Sequence, residues 1–397
     1  MAKIRFQVGN YKLHDQPNMN FQLNRIQKLG ADLNKVREIA AKVTDNPSYV
    51  TLMKEAAKEA KAAGDLRAAN AYLRGADFFT PAREGKLEIY NEYREIYYKL
   101  NEPMMAENNV QKVLIPFGKG FIPVLYCLHE NPKGTIVVHG GFDSYVEEFL
   151  KFMVYMHQKG YDAYIFEGPG QGACINDYAM PFTPDWDKPV SAVLDHFQLD
   201  DVALVGISLG SLLCKRAAAK EHRITYLMSV GIMTSFYETL LSGLTEEIRV
   251  KVDAAVERQD KEAVNALCYE QAEKNPMYDW YWEHGTYVFG VETPYDMLLT
   301  AKKYDIEPIA DQITQDYLMV AGANDHFVPL HLANEEIRIM NNVRSFTMRI
   351  ITSAEKGDDH CNVSNRKLML DFFVNWLEET KREKAETELA IKRGYSE

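Results

Sequence analysis

Apolar positions along the chain fall into three textures. In the first, Phe21, Ile26, Leu29, Leu33, Val36 and Ile39 recur at spacings near 3.6 residues, and the Ala-rich, charged stretch KEAAKEAKAAGDLRAANAYLRGADFF follows. Both patterns predict helices. Pro81 after Thr80 predicts a fresh helical start, which Leu87, Tyr90, Tyr93 and Ile96 continue. No fixed period links these helices, so a repeat array is not indicated. From about Gln111 the second texture begins: QKVLIPF, FIPVLYCL, GTIVVHGG, DAYIFEGPG, DVALVGIS, TYLMSVGI, DYLMVAGA and FTMRIITS. These short β-rich runs are punctuated by Gly and Pro, with helical-length segments at 146–158 and 212–219 between the later ones. Strands alternating with helices predict an α/β protein with an eight-stranded, mostly parallel sheet covered on both faces. Only Gly118-Lys119-Gly120 separates the first two runs, which predicts an antiparallel hairpin at the sheet edge.

The third texture interrupts the alternation. Residues 233–304 read as helical and then strongly aromatic, in PMYDWYWEHGTYVFGVETPYDML. Aromatic side chains that dense predict a cap over something. The expected organisation is a helical N-terminal region (1–105), a first core segment (106–232), the inserted cap (233–304) and a second core segment (305–397). The last contains an amphipathic helix, NRKLMLDFFVNWLEET, and a charged helical tail.

Composition narrows the class. With 397 residues, 46% apolar and 26% charged, the chain has the make-up of a globular protein with a large core. Its 45 basic against 57 acidic residues give a net charge of −12, which argues against nucleic acid as a partner. Cys127, Cys174, Cys214, Cys268 and Cys361 are an odd, scattered set without a CxxC pair, better suited to a reducing cytoplasm than to disulfides or zinc. No secretory pattern is visible in MAKIRFQVGNYKLHD, and no run approaches about 18 apolar residues, so the expectation is a cytoplasmic protein without membrane spans. Neither a metal nor another cofactor is expected, because no His/Cys/carboxylate cluster has ligand spacing. The sequence leaves the oligomeric state open, a homodimer included.

The chemistry concentrates at Gly206-Ile207-Ser208-Leu209-Gly210, which follows the strand DVALV and precedes the helical SLLCKRAAAK. In such a strand–turn–helix elbow the glycines relieve crowding and the serine hydroxyl projects above the sheet. A serine nucleophile needs a base, and the base an orienting acid. Asp325 ends the strand DYLMVAG, and His360 follows the strand FTMRIITS, in the chain order Ser, acid, His. Asp358 and Asp359 are read as loop or cap carboxylates, and His196 and His326 as structural. The oxyanion of acyl transfer needs donors, one from the Leu209 N–H and one from the loop His139-Gly140-Gly141-Phe142-Asp143. Phe142 and Gly141 are both candidates. Ser144 and Glu147 fit a capping box for the next helix. Glu167-Gly-Pro-Gly-Gln-Gly172 looks like a phosphate-cradling loop but lacks both the Lys-Ser/Thr of a P-loop and the dinucleotide spacing. Trp280, Trp282 and Tyr287 of the aromatic segment are the candidate substrate-binding residues, with Trp282 favoured.

With these motifs in view the chain resembles the α/β-hydrolase superfamily. More narrowly, it is similar to the branch with the fermentation-respiration switch protein, 2,6-dihydroxypseudooxynicotine hydrolase and the fungal hydrolases that shorten polyketides. The resemblance runs through the leading helices, HGGFDSYVEE, FEGPGQG, DWDKPVSAVLDHF, GISLG, the aromatic cap, GANDHFVP and DHCNVSN. It implies cleavage of esters or of carbon–carbon bonds beside aromatic ketones, with Ser208, Asp325 and His360 as nucleophile, acid and base. Ser211 departs from the pattern, in which a third glycine often follows the elbow. The expected function is therefore a serine hydrolase acting through an acyl-enzyme on a hydrophobic small molecule, aromatic if the cap lines the pocket. The alternatives are an oligopeptidase, an acyltransferase and a non-catalytic binding protein. An oligopeptidase's usual β-propeller is missing, and a binding protein has no need of all three groups.

Overall fold

The computed structural model describes residues 4–392. Five helices come first: α1 (Pro17–Leu29), α2 (Leu33–Ala40), α3 (Asn46–Ala62), α4 (Leu66–Phe79) and α5 (Lys86–Glu107). Asp32, Asp45 and Asp65 cap α2, α3 and α4 by accepting backbone N–H bonds from the first turns. Pro81 does not start a helix. The chain turns through residues 81–85, with Gly85 left-handed at φ +82°, and α5 begins only at Lys86.

Eight strands then build one sheet: β1 (Gln111–Phe117), β2 (Gly120–Cys127), β3 (Thr135–His139), β4 (Asp162–Phe166), β5 (Val202–Ile207), β6 (Ile224–Val230), β7 (Asp316–Gly322) and β8 (Ser345–Ile351). Their spatial order is β1-β2-β4-β3-β5-β6-β7-β8. β1 and β2 form the expected antiparallel hairpin, β2 pairs antiparallel with β4, and the remaining pairings are parallel. Connecting helices are α6 (Leu150–Gln158), α7 (Gly172–Asn176), α8 (Asp187–Phe197) and α9 (Gly210–Ala218). Strand order reverses at β3, so right-handed crossovers place α6 on one face and α8 and α9 on the other. β5 and β7 are buried throughout, as continuous apolar runs predict for interior parallel strands.

Between β6 and β7 the chain forms α10 (Phe236–Leu241), α11 (Glu246–Glu257), α12 (Lys261–Lys274), α13 (Pro276–Phe289) and α14 (Pro294–Ala301). α15 (Ala333–Ile339) links β7 to β8, and α16 (Arg366–Lys392) closes the chain against α6 and β7. Beneath the sheet, Lys215 of α9 donates to Glu336 of α15 at 2.6 Å with both side chains fully buried, and the Tyr317 hydroxyl donates to the same carboxylate.

The capping box expected of Ser144 and Glu147 does not form. The turn starts as a 3-10 segment, Val146–Phe149, whose reciprocal partners are Tyr145 and Glu148. Ser144 is drawn away because its Oγ accepts the Gly141 N–H at 2.9 Å, and Glu147 is buried beneath the turn. Among the described residues no helix is long and apolar enough to cross a membrane, and no group of three or more His, Cys, Asp or Glu side chains is arranged to hold a metal.

Candidate active site

Three strand ends bring the site together. β5 runs into α9 through Ser208, whose backbone is left-handed at φ +63°. That conformation is costly for a residue with a side chain. The elbow is too tight for anything but glycine on either side. A Cβ at Gly206 would lie 2.0 Å from the Gly210 carbonyl oxygen, and one at Gly210 would lie 2.5 Å from the Gly140 oxygen. Ser211 is fully buried, and its hydroxyl finds no hydrogen-bond partner among the described residues.

The Ser208 Oγ is 3.0 Å from His360 Nε2, and His360 Nδ1 is 2.7 Å from Asp325 Oδ2. The other Asp325 oxygen accepts the N–H groups of Phe327 and Val328 at 2.8 and 3.0 Å. Burial disfavours the Asp325 carboxylate, but the attraction of His360 and the bonds it accepts outweigh this and hold it below the usual carboxylate range. Burial likewise opposes a charge on His360, yet the adjacent Asp325 carboxylate raises its proton affinity well above the ordinary histidine value. Asp358 and Asp359 are elsewhere engaged. Asp358 accepts from Asn324 and Ser353, and Asp359 from Ser364 and Asn10.

β3 is the immediate neighbour of β5, which sets its loop against the elbow. A Cβ at Gly141 would meet the Leu209 nitrogen at 2.5 Å, so the close approach there requires glycine. The Gly141 N–H is spent on Ser144. The Phe142 and Leu209 N–H groups have no acceptor among the described residues, which leaves these two free beside Ser208.

Every carbonyl of this loop is held by a side chain. Gly140 O accepts from His139 Nδ1 at 3.0 Å and Gln171 Nε2 at 2.7 Å, and Gly141 O from the same Gln171 nitrogen at 3.1 Å. Phe142 O accepts from His284 Nε2 at 2.8 Å, and Asp143 O from Arg74 at 2.8 Å. Because a carbonyl only accepts, His284 carries its proton on Nε2. Burial, then Lys86, push its pKa down to about 4, so the ring is neutral near pH 7. Arg25 of α1 also grips Asp143 at 2.9 Å and Glu148 at 2.6 Å. The two arginines overcome the burial of Asp143 and keep it ionised well below the usual range.

The candidate substrate residues separate by helical geometry. Trp280 lines a cavity of about 30 Å³ with Ser208, His360, Phe142, Tyr281, Phe236 and Phe327. It stacks on Phe78 of α4 (4.5 Å, 14°) and on His284 (5.4 Å, 6°). Tyr287, seven residues on and therefore on the same face, lies beyond that stack. It lines a separate cavity of about 360 Å³ and donates to Asn176 at 2.8 Å. Trp282 is two residues, about 200°, around the helix from Trp280. It turns away from Ser208, donates to the Cys268 carbonyl of α12 at 3.1 Å and stacks on Tyr278. The favoured Trp282 thus packs between α12 and α13, and Trp280 alone of the three borders Ser208.

Residues that sequence reasoning missed include His284, Gln171, Arg25 and Arg74. Gln171 stood within the phosphate-like GPGQG motif, where its spacing carried the wrong suggestion. The arginines had no signal, since their partner lies 69 or more residues away.

A family model, alpha/beta hydrolase fold, matches residues 136–353, more than half of the chain. The chain belongs to the alpha/beta hydrolase fold family and is an enzyme, a hydrolase. It is similar to hydrolase LUC6 of a Fusarium species, 26% identical over 75% of this chain and 79% of that one. The 20-hydroxy-prefusarin hydrolase FUS2 of Gibberella moniliformis is 27% identical over 68% of this chain and 70% of the relative. The solved structure of 2,6-dihydroxy-pseudo-oxynicotine hydrolase shares the fold, with a TM-score of 0.60 at 19% identity over 89% of this chain and 95% of that one.

Proposed function

We propose that the protein is a serine hydrolase that cleaves an ester, or a carbon–carbon bond beside a ketone, in a hydrophobic small molecule. The observation that carries this reading is the unbroken relay from Asp325 through His360 to the Ser208 hydroxyl, at 2.7 and 3.0 Å. His360 takes the hydroxyl proton as Ser208 attacks the carbonyl carbon, and Asp325 fixes the imidazole and offsets its charge. The Phe142 and Leu209 N–H groups receive the oxyanion. His360 then protonates the leaving group, an alcohol or a stabilised carbanion, and water releases the acid from Ser208.

Aromatic and apolar groups around Ser208 support a hydrophobic acyl group. The name of the Gibberella relative, a 20-hydroxy-prefusarin hydrolase, points the same way. A cavity of about 30 Å³ holds little more than one water. Entry from the larger cavity would part the Trp280–Phe78 stack, whose Trp280 lines both cavities. Five unpaired cysteines, four of them buried, support a cytoplasmic setting.

A fluorophosphonate probe tests the reading. It is expected to label one site in the wild type and none in Ser208→Ala, while a panel of p-nitrophenyl esters and aryl diketones identifies the scissile bond. Labelling that persists in Ser208→Ala would remove the serine from its role.

A further inference from the structure

Behind the serine, on the side of the leading helices, lies a third cavity, of about 220 Å³, with a strongly one-sided charge. Arg67 of α4, Lys151 of α6 and Arg366 of α16 line it, and none of them makes an ion pair or hydrogen bond within the described residues. Lys28 reaches it from α1, bonded only to the neutral Gly9 carbonyl and Asn10 side chain, and Arg5 adds a further cation. The carboxylates facing it do not balance these charges. Glu148 is already shared by Arg25 and Arg74. Glu147 is buried, and burial raises its pKa toward the neutral form.

Shortage of acid does not explain this, because the chain carries 57 acidic residues to 45 basic ones. Helix geometry sharpens the point. Lys151 and Arg366 stand in the first turns of α6 and α16; the acids nearest the α6 start, Glu147 and Glu148 of the 3-10 turn that leads into it, are the two already accounted for. The positive end of a helix dipole favours anions, so cations there add to the local potential rather than relieve it. The crowding is felt by the lysines. Loss of hydration, and then Arg67 and Arg366, lower the Lys151 pKa. Lys28 is pushed down to about 8, chiefly by burial and against the pull of Asp359, with Arg366 adding to the depression.

We propose that this cavity binds a phosphoryl group, held by Arg67, Lys151, Arg366 and Lys28. Two guanidinium forks match phosphate oxygens, and two ammonium groups supply point charges. A single carboxylate would leave most of that charge uncompensated. The cavity has room for a phosphate ester. Arg25, Glu148, Val363 and Arg366 also line a smaller cavity that reaches Ser208 and His360. A phosphoryl group here can therefore be the distal arm of a substrate, which rests on the serine-hydrolase reading, or a free phosphate ligand.

Calorimetry on the full chain, with inorganic phosphate and phenyl phosphate against chloride at matched ionic strength, tests the site directly. Wild type and Ser208→Ala should both bind phosphate saturably at one site, so the result stands whether or not Ser208 is the nucleophile. Binding at pH 8.5 should take up protons, as Lys28 regains its charge beside the anion. Arg67→Gln/Lys151→Gln changes only exposed rim residues and should weaken binding by about 10- to 100-fold, the loss of one or two charged hydrogen bonds. Absence of saturable binding, or binding unchanged in the double variant, overturns the proposal. Competitive inhibition of ester hydrolysis by phosphate assigns the site to a substrate arm. Binding without inhibition assigns it to a free ligand.

Discussion

Replacing Gln171 by leucine tests how the oxyanion donor is aimed. Gln171 is buried, and its amide makes three bonds: Oε1 accepts the Gly168 N–H at 3.0 Å, and Nε2 donates to Gly140 O and Gly141 O. Leucine fills similar space without any of them. Gly140 O keeps its bond from His139, so two buried groups, the Gly168 N–H and the Gly141 carbonyl, lose their partner. Each costs about 1–3 kcal/mol, about 2–6 kcal/mol together. For 397 residues the unfolding entropy is about 0.8 kcal/mol per kelvin, so Tm should fall by about 2–7 °C. The Gly141 carbonyl and the Phe142 N–H belong to one planar peptide, and Gln171 is the side chain that sets that plane. Once released, the N–H loses its aim. Full loss of an oxyanion donor costs about 100- to 1000-fold in kcat, so partial misalignment should cost about 10- to 100-fold. Because the interaction is made chiefly in the transition state, kcat and kcat/KM should fall together with KM little changed. Steady-state kinetics on p-nitrophenyl esters, at least 15 °C below the variant's Tm, measures this. A variant with lowered Tm but wild-type kcat would refute the reasoning, because Ser144 and His284 alone would then be holding the peptide.

Other outcomes follow from the same geometry. His360 must be neutral to act as base and its pKa is raised by Asp325, so kcat/KM should climb with pH along a limb centred above 6.5. Asp325→Asn should move that limb to lower pH and cut kcat by up to about 10⁴-fold, while Asp359→Asn should leave the limb in place. Trp280→Ala opens the partition toward the 360 Å³ cavity and should change the ratio of kcat/KM for bulky aryl over acetyl esters; Trp282→Ala should lower Tm and leave that ratio unchanged. Glu336→Ala strands the fully buried Lys215 ammonium and should cost about 3–5 kcal/mol by denaturant unfolding, without altering KM.

The sheet and the serine, acid and histidine positions were legible because each is local. A buried strand announces itself as an apolar run, and an elbow must carry glycines at fixed offsets from Ser208. Asp325 and His360 were readable as the residues just past two such runs. The N-terminal boundary of α5 was missed because Pro81 suits both a helix start and a turn, and only the left-handed Gly85 decides between them. That Trp280 rather than Trp282 borders Ser208 needed the orientation of α13 against the core, which a helix surrounded by aromatics does not encode in periodicity. Arg25 and Arg74 could not be read at all, since a charged residue in an amphipathic helix is ordinarily solvated, and nothing local marks a partner in Asp143.

The four carbonyls of the loop after β3 are held by residues 74, 139, 171 and 284, scattered over more than half of the chain. No single folding unit can therefore order it. The leading helices, the sheet and α13 must each dock before the last peptide is aimed, and contacts between such distant segments form slowly. During refolding, hydrolysis should return after the sheet's circular-dichroism signal and after burial of the core tryptophans. On a translating ribosome the serine would remain inert until His360 and α16 have emerged, so a half-made chain carries an elbow but no activity.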